Sequence, residues 1–170
     1  MKKIILIAVA VLGFAAVAVA ANPVNKATGA IENKFGGKAR AVGLRLGYGL
    51  EASYQHSFGV NFIQADLGVP GFNSLNAVVT YNWTLAQPQW TDRGEWGVYA
   101  GPGVAAGLEF GKETFGVNAA IAGQVGLEYT FWFPLQLSID IRPQLGLHIG
   151  KGSLFHYGGY WPTFTARYRF

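Results

Sequence analysis

From residue 39 onward, apolar and polar residues alternate with a period of two, the spacing of a strand whose side chains point to opposite faces. The last ten residues, Trp161 to Phe170, show this most cleanly. Phe164, Ala166, Tyr168 and Phe170 fall on one face, and Thr163, Thr165, Arg167 and Arg169 on the other. The same alternation predicts seven earlier strands, at about 40–48, 50–58, 61–69, 75–85, 96–110, 115–131 and 135–148. Pro70-Gly71 and Asn73-Ser74 mark one turn, Gly111-Lys112-Glu113 another, and Gln87 to Glu95 a polar connection. Residues 150–160, rich in Gly and aromatics, read as a loop. Pro102 removes a ladder donor from strand five and predicts a bulge there.

Eight sequential strands, an even number with no helix between them, predict an all-β fold: an antiparallel up-and-down barrel. Its apolar face could point inward, as in a soluble barrel, or outward into lipid. Arginines and acids occupy the mixed face, yet Lys26, Lys34, Lys38, Lys112 and Lys151 all fall in tails or loops. A water-washed face would carry lysine. The mixed face of strand five is nearly all Gly and Ala, which suits a crowded interior. Aromatics gather at strand ends. Phe58, Trp83, Trp96, Phe131, Trp132 and Phe133 fall at one end, and Tyr48, Phe110 and Trp161 at the other, as two interfacial girdles. The outward-apolar reading follows: an eight-stranded transmembrane β-barrel over 39–170. Lipid satisfies no backbone polar groups, so the last strand must pair with the first.

The terminal strand resembles the closing strand of bacterial outer-membrane barrels, in which a C-terminal Phe with apolar residues at alternate positions serves as an assembly signal. On that resemblance Phe164, Ala166, Tyr168 and Phe170 form the signal. The chain is similar to the small class that includes the OmpA transmembrane domain, OmpX and opacity-type proteins. The resemblance implies localisation in the outer membrane of a Gram-negative cell envelope, with contact to outer-membrane lipid, lipopolysaccharide and the barrel-assembly machinery.

Residues 1–21 read as a signal peptide. Lys2 and Lys3 precede an apolar run, and Ala18-Val19-Ala20 or Val19-Ala20-Ala21 supplies the cleavage site. An uncleaved anchor is the alternative. Residues 22–38 read as a periplasmic N-terminal tail, or as a plug folded into the barrel.

Charged residues are 13% of the 170, about half the usual share of roughly 25%. The net charge of +4 is modest and unclustered, so nucleic acid is not an expected partner. With no cysteine, disulfides and thiolate metal sites are excluded. No cofactor and no metal site is expected, because the three histidines share no ligand spacing. Arg45, Glu51, Asp66, Glu109, Glu128, Asp140, Arg142, Arg167 and Arg169 should point inward as a lumen charge network. By position, Glu128, Asp140, Arg142, Arg167 and Arg169 should lie in the periplasmic half, and Arg45, Glu51, Asp66 and Glu109 nearer the outside. Arginine's bidentate geometry favours a filled, non-conducting lumen over a conduit.

His56 and Ser57 alternate faces and cannot act together as base and nucleophile. His156 is expected in the last loop, with Ser153 nearby and no acid beside it. The H-x-S pattern associated with outer-membrane deacylases is absent. The expected function is therefore a structural or surface-interaction barrel, monomeric and without catalytic residues. Porin-like transport of small or apolar solutes is the alternative, and a lipid-A-modifying hydrolase or acyltransferase is less favoured.

Overall fold

A computed structural model describes residues 39–110, 115–149 and 154–170. The predicted signal peptide, the N-terminal tail, the five lysines above and Ser153 lie outside these residues. The described chain is all-β, in ten strand segments: β1 (Arg40–Leu46), β2 (Gly49–Phe58), β3 (Asn61–Pro70), β4 (Ser74–Ala86), β5 (Glu95–Phe110), β6 (Phe115–Thr130), β7 (Leu135–Ile141), β8 (Gln144–Ile149), β9 (Phe155–Gly158) and β10 (Thr163–Arg169). They form one antiparallel sheet that closes on itself. β7 and β8 are successive pieces of one stave, since both pair with β6 in a single register. β9 and β10 are pieces of the last stave, pairing with β8 and β7 respectively. The result is a closed eight-stranded antiparallel barrel.

Closure is made by the stave that the sequence singled out. β10 pairs with β1 from Ala41↔Arg169 to Leu46↔Phe164 and with β7 on its other side. The Phe170 N–H donates to the Arg40 carbonyl at 2.9 Å, so the chain's end is tied to the start of β1. We refer to this end of the barrel as the terminal end and to the other as the far end.

The staves are strongly sheared. Partners traced from Arg45 run through Glu51, Gly68, Asn76, Gly107 and Asn118 to His148. Traced the other way, Arg45 reaches Thr165 and then Ser138. The two endpoints lie ten positions apart on one stave. Such a shear tilts the strands, and with only eight of them the interior keeps a width that side chains can fill.

The two faces have inverted polarity. Outward residues are the apolar ones: Val42, Leu44 and Leu46 on β1, Leu137 and Ile139 on β7, and Leu145, Leu147 and Ile149 on β8 are all exposed. Inward residues are largely polar and buried, among them Arg45, Gln64, Asn82, Gln124, Asp140 and Arg167. Val78 and Val79 show the alternation of facing on adjacent positions, at 1% and 47% exposure, Val78 being one of the few apolar residues turned inward.

Several glycines face the narrow interior because a side chain would meet neighbouring atoms. At Gly126 a Cβ would sit 2.6 Å from both the Tyr99 ring and the Asp140 Cβ. At Gly101 it would run into the Tyr81 carbonyl, so the small wall of β5 is occupied partly by its neighbour's backbone. Turn geometry also follows the sequence. Gly71 and Phe72 both take left-handed φ values, 62° and 59°, the combination of a primed hairpin turn. The position costs a non-glycine residue about 1–2 kcal/mol.

Three expectations are corrected. The register shift between β4 and β5 falls at Thr84/Ala86, not at Pro102, whose own pairing with Gly123 on β6 keeps the register. Arg142 and Pro143 interrupt the seventh stave, because Pro143 has no N–H to give to the ladder. Residues 155–158, expected in a loop, form β9. Between β9 and β10 the last stave gains one residue over its partner, as the registers Gln144↔Gly158 and Asp140↔Thr163 show. A one-residue bulge flips side-chain parity. His156 and Gly158 therefore face inward on β9, whereas odd-numbered residues do so on β10.

Candidate functional site

The lumen has three layers, each held by side chains from several staves. The middle layer is an ion-pair cluster. The Arg45 guanidinium donates to both Asp140 carboxylate oxygens at 2.8 and 2.9 Å, and its Nε donates to Glu51 at 3.1 Å. Arg142 donates through Nη2 to the Glu51 carboxylate at 2.8 and 3.0 Å and through Nη1 to Asp66. Gln64 donates to Asp66 at 2.7 Å, and the Tyr99 hydroxyl donates to Asp140 at 3.1 Å. Two guanidiniums thus serve three carboxylates. Arginine suits this role because its planar fork engages two oxygens at once, and buried charge is tolerable only when so paired.

The layer toward the terminal end is built mainly from neutral hydrogen-bonding groups, with Arg167 and Glu128 among them. Thr80 and Asn82 donate to the Gln124 carbonyl at 2.6 and 3.2 Å. Arg167 donates to Ser53 at 3.0 Å and to Ser138 at 3.1 Å. Gln136 donates to Glu128 at 2.9 Å. Phe62 and Tyr99, both buried, meet edge to face with ring centroids 5.0 Å apart. Below them a small space of about 40 Å³ is lined by Glu128 and Arg169 among others.

The far end is different. A cavity of about 300 Å³ lies above Arg45, Glu51 and Arg142. Asn76 and Gln144 bridge its wall, Asn76 donating at 3.2 Å. Glu109 sits between two imidazoles, its oxygens 3.9 Å from His148 Nδ1 and 3.8 Å from His156 Nδ1. These separations exceed hydrogen-bond length. At the rim the cavity reaches Tyr48 on the β1–β2 hairpin and Tyr157 and Trp161 around β9. β9 ends the sheet order and is bonded only to β8 among the described residues. The wall is therefore notched between β9 and the short β1–β2 hairpin.

The nine charged residues expected in the lumen do not make one network. Arg45, Glu51, Asp66, Asp140 and Arg142 come together. Asp140 and Arg142 were expected in the half away from the other three. The ten-residue shear lifts them beside Arg45, so counting positions from a strand's end misjudges depth. Glu109 stands apart with the histidines. Glu128 and Arg169 lie near the terminal end, and Arg167 is held by two serines. His156, expected without a neighbouring acid, faces Glu109. Parity assigned from β10 could not find that contact, because the bulge reverses it. His56 points outward against Phe58, with centroids 4.5 Å apart.

The aromatic residues named for the girdles lie toward the ends of the staves. Trp96, Tyr129, Phe131, Trp132 and Phe133 form successive ring contacts at the terminal end. Phe58 and Trp83 are exposed near them, while Tyr48, Phe110 and Trp161 are exposed at the far end. Phe164, Ala166, Tyr168 and Phe170 all project outward from the closing stave. Comparison with protein-family models, curated proteins and solved structures gave no match.

Proposed function

We propose that this protein is a small outer-membrane barrel with a filled, non-conducting lumen and a structural or surface-interaction role at its far end. The observation that carries the reading is the inverted polarity of the wall. Val42, Leu44, Leu46, Val104, Ile121, Leu145 and Leu147 are exposed around the barrel, while Arg45 and Arg167 are each 1% exposed inside it. In water such a wall would be an apolar surface far larger than soluble monomers carry. In lipid it matches the solvent. The rings at both ends and the signal-like residues 1–21 support the same setting.

The non-conducting part rests on the side chains crossing the lumen. The far cavity and the small terminal space are separated by Arg45, Asp140, Gln64, Phe62 and Tyr99, all buried. Planar-bilayer recording of the purified protein tests this part. The expected record shows heat-modifiable, inserted protein without stable openings. Reproducible ohmic openings of the wild type would overturn the closed lumen and favour transport.

A further inference from the structure

We propose that the far cavity is a binding pocket for a neutral saccharide unit, a ring bearing several hydroxyls. This rests on the surface-interaction reading above and names its ligand chemistry.

The pocket is blind, since the Arg45 layer forms its floor. Its size, about 300 Å³, stands at the lower end of small-ligand sites and suits a single sugar ring with little to spare. Its polar groups ask for both donors and acceptors. Asn76 Oδ1 and Asn118 Oδ1 are buried acceptors with no hydrogen-bond partner in the protein, and Arg142 Nε is a buried donor in the same state. Asn118 is 5% exposed, so bulk water reaches it poorly. A hydroxyl both donates and accepts, so one entering the cavity can meet either kind of group once the side chain turns its buried atom toward it. Glu109, nearly half exposed at the mouth, adds a carboxylate that can accept from two hydroxyls.

The charge pattern argues against other small ligands. Among the described residues an anion would find no free guanidinium at the floor, since both already hold carboxylates. An apolar ligand would leave the two asparagine oxygens unsatisfied, at a cost. The rim completes the argument. Tyr48 and Trp161, 67% and 64% exposed, border the cavity. Exposed aromatic faces with a polar edge suit a ring whose C–H face is apolar and whose rim is hydroxylated. The notch beside β9 gives entry from the side as well as from above, so either a diffusing sugar or the sugar portion of a surface glycan could reach the pocket.

The test is calorimetric titration of the intact protein in a zwitterionic detergent without a sugar headgroup. One arm uses glucose, galactose and N-acetylglucosamine. The other uses delipidated core oligosaccharide. The expected result is saturable binding in at least one arm, with Kd of about 1 mM or tighter. Glu109→Gln and Trp161→Ala should each weaken it by about tenfold. Trp90→Ala, whose ring meets Trp96 at a tilt at the opposite end, should not. Binding of free hexose assigns a diffusible ligand, and binding of the oligosaccharide alone assigns a surface glycan. Absence of saturable binding in both arms, with heat-modifiable migration proving the barrel folded, overturns the inference. So does binding that ignores both substitutions. Either failure leaves the non-conducting barrel reading standing.

Discussion

Arg45 and Asp140, 95 positions apart in the chain, meet across the lumen in a two-point guanidinium–carboxylate contact of 2.8 and 2.9 Å. β1 and β7 are not neighbours, since β10 lies between them. The pair therefore ties the wall together across a closing stave. Asp140 also accepts from Tyr99 on β5, so three staves converge on one carboxylate.

Removing one member of such a pair leaves an uncompensated charge. Arg45→Leu should lower unfolding stability by about 3–5 kcal/mol where the site is dry. The double variant Arg45→Leu/Asp140→Leu should recover part of that loss, because both charges leave together. Urea unfolding in lipid vesicles gives the comparison. A double variant whose loss equals the sum of the two single losses would show that the pair has no coupling.

Arg142 should behave as the second anchor of the cluster. Its partners are Glu51 and Asp66, which were expected in the other half of the lumen. Arg142→Ala should cost about 3–5 kcal/mol, and less where lumen water reaches the acids. Adding Glu51→Gln should relieve part of the damage, whereas adding Glu128→Gln should not. Equal relief by both would contradict the assigned contacts.

Ile139 projects outward between Leu127 and Phe164 on the neighbouring staves. Ile139→Arg should cost about 2–4 kcal/mol if the position lies near the bilayer midplane. The same unfolding assay measures it. A neutral effect would place Ile139 in water or at an interface.

Gly126 offers a packing test inside the barrel. Gly126→Val would press on the Tyr99 ring and Asp140 together. Overpacking of this kind costs about 1–3 kcal/mol. Shrinking the neighbour in Gly126→Val/Tyr99→Ala should recover stability relative to Gly126→Val alone, and failure to do so would mean the ring is not what the glycine accommodates.

Deleting Phe170 should reduce insertion and leave protease-sensitive chain. Its N–H bonds to the Arg40 carbonyl, and its side chain lies on the outward face of the closing stave. Wild-type amounts of heat-modifiable barrel after the deletion would remove this residue from the assembly role.

The barrel was legible in the sequence because a sheet with one apolar and one polar face imposes a strict period of two, and β1 to β7 follow it. Facing was legible from the arginines and acids, which fixed the inner side of Arg45, Asp140 and Arg167. Contacts between staves were not, because depth depends on shear, and no single strand encodes shear. The His148–Glu109–His156 grouping was hidden for a second reason. The extra residue between Gly158 and Thr163 reverses parity on β9, so the inward set on β10 misplaces His156. Pro102 misled in the opposite way: its missing donor was absorbed without a register shift.

The central claim is that the apolar wall faces lipid and the polar face is sealed within. Spin labels placed singly at Leu137, Ile139, Leu145, Leu147 and Ile149 along one stave test it most directly. In lipid vesicles these sites should be more accessible to oxygen than to a water-soluble nickel complex. The preference should peak in the middle of the stave and fall toward both ends. Uniformly greater access by the nickel complex would place the wall in water and contradict the account.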